Sequence, residues 1–119
     1  MSSVLVTGGA GFIGSHLCEA LLSQGARVTC LDDLSTGRVD NVAHLLADPG
    51  FAFVQGDVAD PGVWDRLPAA QRVFHLASPA SPEDYQAAPV QTIRTNVVGT
   101  LNALGFAQTH HARVLLTST

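Results

Sequence analysis

The chain has 119 residues, of which 46% are hydrophobic and 13% charged, and its formal net charge is −4. It is long enough for one domain with a real core, too short for two, and too apolar to stay disordered. No cationic cluster is present to neutralise a nucleic acid, no apolar run reaches membrane-spanning length, and no basic region followed by an apolar stretch opens the chain, so a cytoplasmic protein binding neither nucleic acid nor membrane is expected.

Ser3–Thr7 (SVLVT) is a β-branched apolar run that stops at glycine, the pattern of a buried strand. Phe12–Ser23 follows as a helix, with Ile13, Leu17 and Leu21 at helical spacing and Gly25 just past its end. Arg27–Leu31 (RVTCL) is a second strand ending in Asp32-Asp33. Val39–Ala47 predicts a short helix, Asp48-Pro49-Gly50 a turn, and Phe51–Val54 a third strand. Asp60-Pro61 pairs an N-cap with proline at the first helical position and opens a short helix through Leu67. Arg72–Ala77 (RVFHLA) is a fourth strand, Pro89–Gln108 a long helix, and Arg113–Leu116 (RVLL) the start of a fifth strand. On the long helix Val90, Ile93, Val97, Leu101 and Leu104 recur on one face. They cannot all cover the sheet if Val98, Ala103 and Ala107 do so too, which predicts an uncovered apolar stripe.

Strands alternating with helices predict parallel pairing through right-handed crossovers. The near-continuous apolar strands predict a sheet covered on both faces. The expected fold is therefore an α/β, Rossmann-type doubly wound parallel sheet of order 3-2-1-4-5, ending after the fifth strand. Cys18 and Cys30 are the two cysteines, both in apolar contexts, and read as reduced core thiols rather than a disulfide or metal site. Lysine is absent: the six basic residues are Arg27, Arg38, Arg66, Arg72, Arg94 and Arg113.

Gly8, Gly11 and Gly14 form G-x-x-G-x-x-G in the turn between the first strand and the first helix. In that context Gly8 takes the tight turn, Gly11 lets backbone approach a pyrophosphate, and Gly14 lets the helix pack close on the sheet. Asp32, at the end of the second strand, is placed to accept the ribose hydroxyls and to repel a 2′-phosphate, so NAD is favoured over NADP. A P-loop is excluded, because no Gly-Lys-Ser/Thr follows.

These glycines, with "DDLSTGR" at 32–38, "GDV" at 56–58, "HLAS" at 75–78 and "TNVVGTLN" at 95–102, together resemble the extended short-chain dehydrogenase/reductase family, which comprises nucleotide-sugar epimerases, dehydratases and decarboxylases. "HLASPASPEDY" followed by "TIRTNVVGTLNAL" is most similar to the branch that converts UDP-glucuronate to UDP-xylose by oxidation at C4, loss of CO₂ and re-reduction. The resemblance implies that Gly8, Gly11, Phe12, Ile13 and Gly14 hold the NAD pyrophosphate. Asp32 would hold the adenosine ribose, with Asp33, Ser35, Thr36 and Gly37 beside it. Asp57 and Val58 would meet adenine. Leu76, Ala77 and Ser78 would run toward the nicotinamide, Thr117 would also meet the cofactor, and Asn96 would fix the long helix against the strand end near the active site. Arg94 and Asn102 would reach the nucleotide-sugar. The decarboxylating branch usually has lysine where this chain has Arg94, which keeps the charge and changes the geometry.

Plainer roles stand beside these. Asp57 suits a turn, Ser81 with Asp84 suits a capping box, Tyr85 and Trp64 suit packing, and His75 suits a satisfied core histidine. His110-His111 suit a solvated helix end. The family's catalytic Tyr-x-x-x-Lys pair is missing, and its catalytic Ser/Thr falls on Thr119, the last residue. The resemblance thus implies the N-terminal, NAD-binding portion (1–119) of a longer, dimeric enzyme, without its sugar-binding region and inactive alone. Three functions stay open: a UDP-glucuronate decarboxylase, a 4,6-dehydratase or 4-epimerase, and a non-catalytic NAD-binding module.

Overall fold

Strand β1 (Ser3–Thr7) is buried on both faces, as its unbroken apolar run requires. Val4 and Val6 pack with Cys18, Leu21, Val28, Cys30 and Phe51, whereas Leu5 packs with Leu31, Val58, Trp64, Val73 and Phe106. The period of two along the strand therefore builds two cores, one per sheet face. A computed structural model of the chain describes residues 2–34, 37–77, 86 and 89–117. Ser35, Thr36, Ser78, Ser81, Asp84, Tyr85 and Thr119 lie outside the described residues.

The remaining strands are β2 (Arg27–Asp32), β3 (Phe51–Gln55), β4 (Arg72–His75) and β5 (Arg113–Leu116), all paired in parallel in the order β3-β2-β1-β4-β5. This is the doubly wound sheet expected from the alternation of elements. β5 forms one edge, with Leu115 and Leu116 exposed. The helices are α1 (Phe12–Ser23), α2 (Pro61–Asp65) and α3 (Pro89–His110). No helix among the described residues is long and apolar enough to cross a membrane.

Helix α1 ends where its sequence signal lies. Gly25 takes φ +86, its N–H donates to Leu22 O at 3.0 Å, and Ala26 N–H donates to Leu21 O at 3.1 Å. Those two bonds make a Schellman cap, a left-handed position suited to glycine. At the start of α2, the Asp60 carboxylate accepts from Gly62 N–H at 3.0 Å, with Pro61 next in line. This helix stops at Asp65 rather than Leu67. Arg66 and Leu67 donate three residues back, to Val63 O and Trp64 O, and Pro68 disfavours an α-helical Leu67.

The segment expected to be one short helix over 39–47 forms two 3₁₀ turns, Val39–Asn41 and Ala43–Leu45. Its buried residues are Val42 and Leu45, three apart, which a three-residue turn places on one side. The Asn41 amide also donates to Ala10 O at 2.7 Å, pinning the segment to the β1–α1 turn.

Helix α3 lies on the sheet through Thr92, Thr95, Gly99, Ala103, Phe106 and Ala107. A Cβ on Gly99 would come within 2.6 Å of Val58 Cγ2, so bare backbone is what allows this approach. Val90, Ile93, Val97, Leu101 and Leu104 point away and are 44% to 73% exposed. Val98 is half-buried. The end of α3 differs from a solvated His110-His111 pair: His110 is half-buried and its ring packs 4.4 Å from that of Phe106, while His111 is exposed at φ 55.

Candidate dinucleotide site

Strand order reverses between β1 and β4, the place where open α/β sheets form a ligand crevice at the carboxyl ends of their strands. The turn leaving β1 lines it. Gly8 has φ +72, a left-handed conformation natural to glycine, and its N–H donates to Leu31 O at 2.8 Å. A Cβ there would sit 2.9 Å from Ala77 N, so the turn and the chain leaving β4 touch backbone to backbone. Gly14 is needed for a nearer neighbour than the sheet: a Cβ would overlap Gly8 O and lie 2.7 Å from Gly9 Cα. Helix α1 thus seats on its own entry turn.

Gly11 is different. It is extended (φ −75, ψ 177), and the one atom near a Cβ placed on it is Gly8 O at 3.3 Å. The fold makes a slight demand for glycine there, so the bare position suits an approaching ligand. Gly11 caps α1 with no side-chain bond, and the first turn carries no acidic residue. The N–H groups of Phe12, Ile13 and Gly14 find no acceptor among the described residues. Three free donors at the positive end of a helix dipole, over a turn without side chains, fit a pyrophosphate. The Phe12 and Ile13 side chains flank this opening, both exposed.

Asp32 closes β2 with its carboxylate buried against this turn. One oxygen accepts from Ala10 N–H at 3.0 Å and the other from Leu34 N–H at 2.7 Å. Burial pushes its pKa above the usual carboxylate value; these two amides pull it back and neighbouring Asp33 raises it further. Each oxygen keeps a second lone pair for a hydroxyl donor. Gly37 packs against the same turn, where a Cβ would lie 2.8 Å from Ala10 C and 2.9 Å from Asp32 Oδ2. Asp33 is exposed beside it.

Asp57 follows β3 and takes the turn-forming role, accepting from Ala59 N–H at 2.9 Å. Its other oxygen stands 3.4 Å from Gln91 Nε2. Val58 O receives two side-chain donors, Trp64 Nε1 at 2.8 Å and Asn102 Nδ2 at 2.9 Å. Asn102 thus ties α3 to the β3–α2 loop. Leu76 and Ala77 leave β4 at the crevice. Thr117 continues the β4–β5 ladder, its N–H 3.4 Å from His75 O. Arg94 and Asn96 are exposed on α3.

Three contributors escape a reading of the glycine triplet. Gly9 is required because a Cβ there would overlap Cys30 Sγ and come 3.2 Å from Cys18 Sγ. These are the two buried free thiols, and the Cys18 thiol and burial push the Cys30 thiol far up. Ala10 O is held by Arg38 N–H at 3.1 Å as well as by Asn41. Thr7 and His75 are hydrogen-bonded across the strand ends at 2.8 Å. The doubled glycine in "VTGGAG" is the one local signal among these. The rest join residues far apart in the chain.

A model of the NAD dependent epimerase/dehydratase family matches residues 4–119. UDP-glucuronic acid decarboxylase 1 of Arabidopsis thaliana is 47% identical over 116 residues, which are 98% of this chain and 26% of that protein. The chain therefore spans about a quarter to a third of the length of the curated relatives it matches. Among solved structures, UDP-glucose 4-epimerase of Thermotoga maritima, determined with UDP-glucose, superposes with a TM-score of 0.86 at 33% identity, covering 98% of this chain and 38% of that one. UDP-glucose 4-epimerase of Thermus thermophilus, a complex with NAD, superposes with a TM-score of 0.77 at 36% identity, covering 92% and 35%.

Proposed function

The chain belongs to the NAD dependent epimerase/dehydratase family, and from that premise we propose that it forms the NAD-binding part of a cytoplasmic nucleotide-sugar enzyme, a UDP-glucuronate decarboxylase. The observation that carries the cofactor half of this reading is the bare turn at Gly11 below three free N–H groups of α1. The substrate half is supported by the 47% identity with a UDP-glucuronic acid decarboxylase, against 33% and 36% with the two UDP-glucose 4-epimerases. The N–H groups of Phe12, Ile13 and Gly14 take the pyrophosphate. Asp32 takes the adenosine ribose through its remaining lone pairs. Asp57 and Val58 meet adenine, and Leu76, Ala77 and Thr117 lie toward the nicotinamide. Arg94 supplies the cation for the substrate's acidic groups. Asn102 acts through Val58, whose carbonyl its amide already holds. Bound NAD supplies a hydride acceptor and donor for the sugar.

Calorimetric titration tests the cofactor half: saturable NAD binding is expected, and its absence at millimolar NAD would remove the reading. Release of CO₂ from UDP-glucuronate by the intact protein tests the other half. The 119-residue chain by itself is expected to release none, because it contains no lysine to pair with a catalytic tyrosine.

The same reading covers the exposed stripe of α3. Five large apolar side chains in a row make a surface of the kind that marks association, and we assign it to contact with a second copy. Sedimentation at micromolar concentration is expected to show the 119-residue chain above monomer mass. The double change Ile93→Glu and Leu101→Glu should return it to the monomer. A wild-type chain that stays monomeric would show that the stripe is no self-association surface.

A further inference from the structure

Thr7 and His75 end β1 and β4 in register, and both are buried. The Thr7 hydroxyl oxygen receives Ala77 N–H at 3.2 Å and Leu76 N–H at 3.1 Å, the latter shared with Thr7 O. A hydroxyl has two lone pairs and one proton. With both lone pairs engaged, the proton has one recipient among the described residues, His75 Nδ1 at 2.8 Å. On that assignment Nδ1 is unprotonated and the imidazole neutral, with its hydrogen on Nε2. Ala77, whose amide Thr7 holds, is also the residue that Gly8 abuts. The Thr7–His75 pair thus holds the chain leaving β4, one wall of the proposed crevice, against the glycine turn.

We propose that neutral His75 is a positioning residue for the dinucleotide: by taking the Thr7 proton it keeps the Thr7 oxygen turned to Leu76 and Ala77, and its protonation frees that wall and weakens cofactor binding. This rests on the crevice being the NAD site. A protonated Nδ1 would bring a third donor to an oxygen whose two acceptor sites are filled, and would leave the hydroxyl proton without a partner.

Among the described residues nothing charged faces His75 to oppose this. From β1 its register neighbour is Thr7 and from β5 it is Leu116. The face of α3 turned to the sheet presents Thr92, Thr95, Gly99, Ala103, Phe106 and Ala107. Arg94 is exposed and His110 lies at the far end of that helix. Asp32 lies on the other face of the sheet: along β2 it alternates with Leu31, which shares a core with Leu5 and Val73, as Thr7 and His75 do by the same alternation. Burial holds the His75 pKa below its ordinary 6.5. The neutral form therefore predominates above that value, and the stability it contributes is lost as pH falls through the lowered one.

The test uses the intact protein. Imidazole nitrogen chemical shifts at neutral pH should report an unprotonated Nδ1 and a protonated Nε2 for His75; a proton on Nδ1 overturns the proposal without reference to cofactor. NAD titrations between about pH 5 and 7.5 should lose about tenfold in affinity toward acid. His75→Asn, whose amide oxygen can take the Thr7 proton but cannot titrate, should flatten that profile. His75→Leu should bind about tenfold more weakly at every pH. A His75→Asn variant with the wild-type acid loss, or a folded His75→Leu variant with unchanged affinity, overturns the assignment. If His75→Leu does not fold, the Asn profile and the nitrogen shifts decide. Wild-type protein that binds no NAD at any pH would remove the site itself, and the proposal with it.

Discussion

Gly14→Ala is expected to destabilise the protein by about 3 kcal/mol, at the upper end of the cost of overpacking. The new methyl would overlap Gly8 O and crowd Gly9 Cα at 2.7 Å and Gly8 C at 3.0 Å. All three are backbone atoms, so no rotamer change relieves them, and α1 has to lift from its entry turn. At Gly11 the backbone is already extended and one oxygen lies at 3.3 Å, so Gly11→Val should fold with a loss below about 1 kcal/mol. Its branches nonetheless occupy the space proposed for pyrophosphate, and NAD affinity should fall at least about tenfold. Urea midpoints paired with NAD titrations separate the two effects. Equal destabilisation at both positions would show that α1 does not depend on contact with Gly8. Unchanged affinity in folded Gly11→Val would place the phosphates elsewhere.

The second large effect belongs to Asp32. NAD is expected to bind at least tenfold more tightly than NADP, about 1.4 kcal/mol, because a carboxylate buried at the end of β2 accepts ribose hydroxyls and repels a 2′-phosphate. Asp32→Ala should shrink that gap. It should also cost about 2 kcal/mol of stability, since two backbone amides lose their acceptor. One of them belongs to Leu34, which sits at φ 64 without being glycine; the short bond from its N–H to Asp32 is what offsets that conformation. Asp32→Asn keeps one carbonyl oxygen and should recover part of the stability while the cofactor preference stays reduced. Thermal melts with both titrations distinguish these results. Wild-type protein with equal affinity for the two cofactors would sink the ribose role of Asp32.

Much of this molecule is legible from local pattern. The apolar runs at Ser3–Thr7 and Arg27–Asp32, the spacing of Ile13, Leu17 and Leu21, the Asp60-Pro61 start and the Gly25 stop each have a short-range cause. Alternation of strands and helices then leads to a parallel sheet, because only right-handed crossovers return each strand to it. The glycine spacing and the acidic end of β2 mark the crevice for the same reason: bare backbone, a helix start and a carboxylate are chemical features that spacing alone displays.

What spacing could not decide was which atoms meet. The apolar stripe of α3 announces a helix with an apolar face, but the sheet takes the other face, where Gly99 and Ala103 let the helix come close to Val58. The segment 39–47 has helical composition, yet Asn41 held at Ala10 O, with Val42 and Leu45 buried, tightens it into two 3₁₀ turns. Gly9 is explained by two sulfurs from α1 and β2, and Asn102 by the carbonyl of Val58. Thr7 and His75 lie 68 residues apart, and their bond exists because β1 and β4 pair in register. By itself the sequence determined the five strands, the helices outside 39–47 and the order of the sheet, since these follow from period, turn chemistry and chain direction. Which face of α3 is covered, how the glycine turn is braced and which side chain His75 meets were decided by the tertiary structure, because each depends on contacts between segments that only packing brings together.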